Sequence, residues 1–289
     1  AMAAIYKREL KGYFNTMIGY VIIVFLLAFS GIYFMAYNLN YGYPYFSYVL
    51  SGGIFMLLIA APLLTMRSFA EERKNRTDQL LLTAPVSLFQ IVMGKYLAMI
   101  TILGIPCAVY LLFPLMIKMQ GTAYILSDYL SILIYFLLGC VYIAIGMFVS
   151  SLTESQIIAA IGTFGILMVI QLWSGIIGFL PSSAMANVFG IAFLLSLLVW
   201  AVWRMTQNWV ICLILEIVNL GVNGIVYAVK SEVYENLLST ICGKLNLIDT
   251  FNSIASNNLL DVSGIILYLS LIVFFVFLTM EMIQKRRWS

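Results

Sequence analysis

The sequence has 289 residues, 63% of them hydrophobic and 9% charged, with a formal net charge of +3. Soluble domains are about 45–50% apolar and about 25% charged, so neither a soluble globular domain nor a disordered chain fits. The positive charge is too small and too dispersed to form a nucleic-acid patch, and no nucleic-acid partner is expected.

A helix needs about 20 apolar residues to cross about 30 Å of hydrocarbon. Eight stretches qualify: 19–38, 50–67, 89–117, 129–151, 156–180, 185–203, 208–228 and 262–284. The expected fold class is an all-α integral membrane protein, a polytopic helical bundle in which 1–289 forms a single transmembrane domain. The first apolar run is too long for a signal-peptide core, and no clear small-residue cleavage site follows it, so no cleavable leader is expected.

Residues 3–14, "AAIYKRELKGYF", mix basic and apolar side chains and suit a short helix lying in the inner interface. The loop 37–48 is uncharged and rich in tyrosine, which favours the headgroup level. Between Arg67 and Asp78 lie seven charges, flanked by apolar spans. The spacing predicts that the second span continues to Arg76, with Glu72/Arg76 and Lys74/Asp78 as i,i+4 pairs. Thr77 and Asp78 lead into an apolar triplet, Leu80-Leu81-Leu82. Pro85 stops that short helix, and Ser87-x-x-Gln90 caps the third span. Thr153-x-x-Gln156 offers a matching cap for the fifth.

A loop that only sets orientation needs positive charge alone. Paired charges around an apolar knob suit docking of a soluble protein. The candidate docking and coupling residues are Glu72, Arg73, Thr77, Asp78, Leu80, Leu81, Leu82 and Pro85.

Further along, Glu216, Asn219 and Asn223 share one face of the span 208–228. A carboxylate at mid-span costs about 2.5–3.5 kcal/mol on insertion scales, so it must face protein or water. It serves either as an interhelical hydrogen-bonding group, with Glu216 protonated, or as part of a polar or proton-sensitive translocation site. Pro62, Pro106 and Pro114 mark expected bends. The outer segment 229–261 reads as two short amphipathic helices.

Placing the N-terminus in the cytoplasm and alternating eight spans puts 12 of the 15 Lys and Arg residues inside, with only Lys118, Lys230 and Lys244 outside. That positive-inside bias orients both termini to the cytoplasm. With no histidine, zinc chemistry of the HExxH type and Ser-His catalysis have no ligand or base. The four aspartates lie at ends or in loops, so no intramembrane aspartyl pair forms. The four cysteines show no metal or redox spacing and read as small apolar residues. No metal site is expected.

"FAEERKNRTDQLLLTAPVSLFQIVMGKYLA" (69–98) resembles the permeases of ABC-2 type transporters, in which F-A-x-E-R-x-x-x-T-x-x-x-L-L-x-x-P-V-S recurs. "LLGCVYIAIGMFVSSLTESQIIAA" (137–160) also fits. The closing "LYLSLIVFFVFLTMEMIQKRRW" (267–288) is similar to the gliding-motility-associated and nitrous-oxide-maturation branches. The resemblance implies a permease of an ATP-driven exporter in a bacterial cell membrane. It makes the 67–87 loop a coupling segment. The usual core has six spans, to which 185–228 adds a hairpin. No phosphate-binding loop occurs, so the resemblance puts ATP and Mg on separate ABC ATPase subunits and no cofactor on this chain. "LSGG" at 50–53 opens a span and is not read as an ATPase signature. Because such ATPases act as dimers, a second permease copy or paralogue is implied. A scaffold or motility component that moves no solute is the alternative reading.

Overall fold

A computed structural model describes residues 2–288, apart from the side chains of 80–82 and 288. The elements are helical throughout, with no strand among the described residues. Seven helices there are long and apolar enough to cross a membrane. The chain divides into two compact units, one of residues 1–171 with 247–289, the other of residues 172–246.

The first unit begins with α1 (Met2–Asn15), then α2 (Ile18–Phe34), which runs into a π-helical turn at Met35–Asn40. Next come α3 (Ser47–Thr65), α4 (Ala70–Lys74), α5 (Asp78–Thr83) and α6 (Leu88–Tyr110). They are followed by α7 (Leu112–Gln120), α8 (Ile125–Leu152) and α9 (Gln156–Gln171). The second unit holds α10 (Trp173–Gly178), α11 (Ala184–Thr206), α12 (Trp209–Val229) and α13 (Leu237–Lys244), and α14 (Leu247–Asn257) and α15 (Val262–Trp288) return to the first.

α3 and α8 form the centre of the first unit, packed on each other and enclosed by α2, α6, α9, α14 and α15. Close approach depends on glycine. A Cβ at Gly146 would overlap the Thr65 side chain, so α8 meets α3 there only because the position has no side chain. Buried tyrosines tie the helices at backbone carbonyls. Tyr135 donates to Gly53 O at 2.9 Å and Tyr96 to Cys140 O at 2.9 Å. Hydrocarbon offers no partner for a hydroxyl, so each must find one within the protein.

The expected fifth span is interrupted. α9 has 16 residues, about 24 Å at helical rise, and Leu172 separates it from α10. Even so, α9 packs on α3 and α8, and also touches α4 and α14. Its cap also differs from expectation. Ser155, not Thr153, accepts from Ile158 N, at 3.4 Å. Thr153 Oγ1 instead accepts from Ser155 N.

Pro62 and Pro106 lie inside continuous helices, and the break falls at Leu111, between α6 and α7. In the second unit, α11 and α12 form a hairpin. Gln207 adopts a left-handed backbone (φ 54°), and Asn208 caps α12 by accepting from Val210 N and Ile211 N. The expected extra pair is therefore two full-length apolar helices. Arg204 lies over the rings of Trp200 and Trp203 near the turn, an arrangement suited to a headgroup layer.

Candidate functional site

The charged segment between α3 and α6 is not a straight extension of the second span. α3 ends at Thr65, and the backbone turns before α4 begins at Ala70. One side chain closes this break. Ser150 Oγ of α8 accepts from Phe69 N at 3.2 Å and Ala70 N at 3.1 Å, and donates to Met66 O at 3.2 Å. Opening a helix leaves backbone groups without partners, and this serine supplies them.

α4 then ends in a Schellman motif. Thr77 N donates to Glu72 O at 2.9 Å and Arg76 N to Arg73 O at 3.2 Å, with Arg76 left-handed at φ 56°. That position ordinarily takes glycine or asparagine, and a left-handed backbone costs another residue about 1 kcal/mol. The termination corrects the expected Glu72/Arg76 and Lys74/Asp78 pairs. Their members lie across a helix end, and no such ion pair forms among the described residues.

The partners of Glu72 and Arg73 lie elsewhere in the chain. Glu72 Oε1 meets Arg8 Nη2 of α1 at 3.0 Å and Lys95 Nζ of α6 at 3.0 Å. Lys95 Nζ also meets Glu9 Oε1 at 3.1 Å. Lys95 is 1% exposed and lies 5.2 Å from the centre of the Phe69 ring. A buried ammonium is tolerable only with carboxylates at hand. Burial pushes the Glu9 carboxyl up, but Lys95 and Arg8 outweigh it and hold the group below its ordinary value. Arg73 pairs with Glu154 at 2.9 Å and donates to Leu152 O at 2.9 Å, where α8 gives way to α9. Arg67 grips Glu71 with two bonds, at 2.5 and 2.6 Å. Arg286 of α15 donates to Ser151 O. Thus α1, the 67–87 segment, the α8–α9 junction and the end of α15 meet at one end of the first unit.

α1 is seated tightly. Gly94 of α6 leaves room for Ile5, whose Cγ2 would be 2.9 Å from a Cβ there, and Tyr13 donates to Leu64 O at 2.9 Å.

Beyond the Schellman turn, Asp78 occupies the first turn of α5, where a carboxylate suits the helix dipole. Thr77 is exposed, and its hydroxyl reaches Glu72 O at 3.3 Å. α5 stops at Thr83, before Pro85, and Ser87 Oγ accepts from Gln90 N at 3.3 Å, as the capping sequence predicts. Leu80, Leu81 and Leu82 lie on α5, and their side chains fall outside the described residues.

Arg8, Glu9, Ser150 and Glu154 were missed by the sequence reading. Lys95 gave the usable signal: a lone lysine in an apolar helix has to meet a carboxylate.

The second unit holds Glu216, Asn219 and Asn223 together on α12, facing α11. Ser196 Oγ lies 2.5 Å from Glu216 Oε1, and Asn219 Nδ2 donates to Ala192 O at 3.2 Å. Asn223 Nδ2 donates to Asn219 Oδ1 at 2.8 Å, and Tyr234 Oη donates to Asn223 Oδ1 at 2.8 Å. The three residues form a hydrogen-bonded seam of the hairpin, with Ser196 and Tyr234 as members that the helical spacing did not reveal. No group of three or more His, Cys, Asp or Glu residues that could hold a metal occurs among the described residues.

A protein-family comparison matches residues 3–282 to the family described as "ABC-2 family transporter protein". A comparison with curated proteins finds no match.

Proposed function

The chain belongs to the ABC-2 family of transporter proteins, and we propose that it is the permease of an exporter driven by separate ABC ATPase subunits, with 67–87 as the coupling segment. The observation that carries this reading is the anchoring of that segment. Glu72 is held by α1 and α6, and Arg73 by the α8–α9 junction. A push on α4 and α5 therefore reaches several helices at once, through hydrogen bonds and ion pairs short enough to transmit displacement.

Force from a soluble motor must enter apolar helices through a rigid element joined to them. The 67–87 segment has that form: a short helix, a fixed turn, a second short helix and a capped start of α6. Leu80, Leu81 and Leu82 supply the apolar contact with the ATPase. Glu72 and Arg73 keep the segment aligned with the permease core. ATP and Mg belong to the partner, and two permeases act with two ATPases. The inner end is the cytoplasmic one, carrying both α1 and the basic end of α15.

Replacing Leu80, Leu81 and Leu82 with serine should abolish ATPase association while membrane insertion persists. Glu72→Ala with Arg73→Ala should keep the partner but remove the permease's effect on ATP turnover. Co-purification and an ATPase assay in reconstituted membranes read both. Wild-type behaviour in both variants would refute coupling through this segment. A wild-type complex that hydrolyses ATP and moves no solute would instead favour the scaffold.

A further inference from the structure

Ion pairing inside the chain changes what charge is left to present outward. At the end where α1, α4 and α15 meet, Glu9, Glu71, Glu72 and Glu154 are all paired with basic groups of the same chain. Lys74 and Arg76 are exposed and form no ion pair among the described residues. Lys74 ends α4, and Arg76 sits on the turn between α4 and α5. Lys285 and Arg287, exposed at the end of α15, add to the same sign. The opposing charge is Asp78, half-buried at the start of α5, and Glu281 on α15.

We propose that the α4–α5 turn is a basic docking point, in which Arg76 and Lys74 enter an acidic recess on the partner ATPase. The inference rests on the docking reading above and adds its electrostatic sign. It also reverses one part of the sequence expectation. Glu72 and Arg73 are committed to their own chain, so the register with the partner falls to the two basic residues at the turn.

Two observations besides charge support this. First, Arg76 occupies the left-handed position of a Schellman motif, which glycine fills without strain. The fold tolerates an unfavourable backbone to place a guanidinium there, on a turn fixed by two backbone hydrogen bonds. A guanidinium presents a rigid fork that binds carboxylates in pairs, and a pre-set turn lowers the ordering cost of docking. Second, residues 74–77 are Lys, Asn, Arg and Thr, all exposed. The turn has no apolar side chain to insert among acyl chains, so an acidic protein surface suits it better than a lipid layer.

The test uses the full chain in two sets of nanodiscs, one of phosphatidylcholine alone and one with anionic lipid added, each titrated with the purified cognate ATPase subunit. Three variants are compared: Arg76→Gly, the charge reversal Lys74→Glu with Arg76→Glu, and the triple serine replacement of Leu80, Leu81 and Leu82. Arg76→Gly should unfold at an equal or higher temperature, because glycine relieves the left-handed backbone. It should nevertheless bind the ATPase roughly tenfold more weakly, and the reversal more weakly still. Wild-type affinity should fall as salt rises from about 0.05 M to about 0.5 M, and that dependence should flatten in the reversal.

Wild-type affinity in Arg76→Gly and in the reversal, with no salt dependence and with binding lost in the serine variant, would overturn the electrostatic inference and leave docking standing. Wild-type binding in all three would overturn the docking reading as well. An effect of the reversal confined to discs containing anionic lipid would assign the turn to the membrane and overturn the proposal.

Discussion

Lys95 Nζ lies 3.0 Å from Glu72 Oε1 and 3.1 Å from Glu9 Oε1. One ammonium in α6 therefore joins the amphipathic α1 to the charged segment between α3 and α6. The lysine side chain is 2% exposed, against 16% and 19% for the two glutamates. Its charge can stay buried only while both carboxylates stay in place.

Removing that ammonium should destabilise the first unit. Lys95→Met leaves two carboxylates with Arg8 alone, and breaking a buried pair costs about 3 kcal/mol. Lys95→Met with Glu72→Gln should cost less than the sum of the two single changes, because the groups are in contact. Thermal unfolding in detergent measures both. Additive losses would show that the pair contributes no coupling.

The same cluster sets a response to acid. The folded Glu9 carboxyl lies below its ordinary value of 4.5, so the unfolded chain binds more protons near that pH. Its contribution is fully present above about 4.5 and is lost as pH falls through the lower, folded value. Unfolding midpoints should show no Glu9-dependent change between about pH 8 and about pH 5, then a fall in stronger acid. Glu9→Gln should weaken stability at neutral pH and reduce that acid-dependent loss. An unchanged acid profile in the variant would exclude Glu9 as its source.

In the second unit, the hydrogen-bonded seam predicts unequal tolerance. Glu216→Gln keeps an acceptor for Ser196 and should preserve folded yield with only modest effect on transport. Tyr234→Phe leaves Asn223 Oδ1 without its donor at 2.8 Å, at a cost of about 0.6 kcal/mol for an average intramembrane hydrogen bond. Unfolding of the reconstituted variants checks the order. A strong, pH-dependent loss of transport in Glu216→Gln, with folding intact, would assign the seam a role in translocation instead of packing.

Composition and periodicity alone determined that this chain lives in a membrane, that it is helical, and where most of its apolar helices lie, but not the breaks after Thr65, Tyr110 and Gln171. Those properties follow from local hydropathy and from the requirement that backbone groups in hydrocarbon bond within their own helix. The Ser87 cap and the stop at Pro85 were legible for the same reason, since each acts within a turn or two of chain. The partners of Glu72 and Arg73 were not. Sequence spacing offered Arg76, four residues away, whereas the fold supplies Lys95 from α6 and, at least 64 positions distant, Arg8, Glu154 and the Leu152 carbonyl. Arg76 itself was withdrawn by a left-handed turn that no glycine announces. Ser150 gave no signal at all, because the break it closes exists only once α8 lies against the end of α3. Which charges neutralise one another and which face outward is a property of tertiary packing, since a side chain in a low-dielectric setting pairs with whatever opposite charge the fold brings within reach.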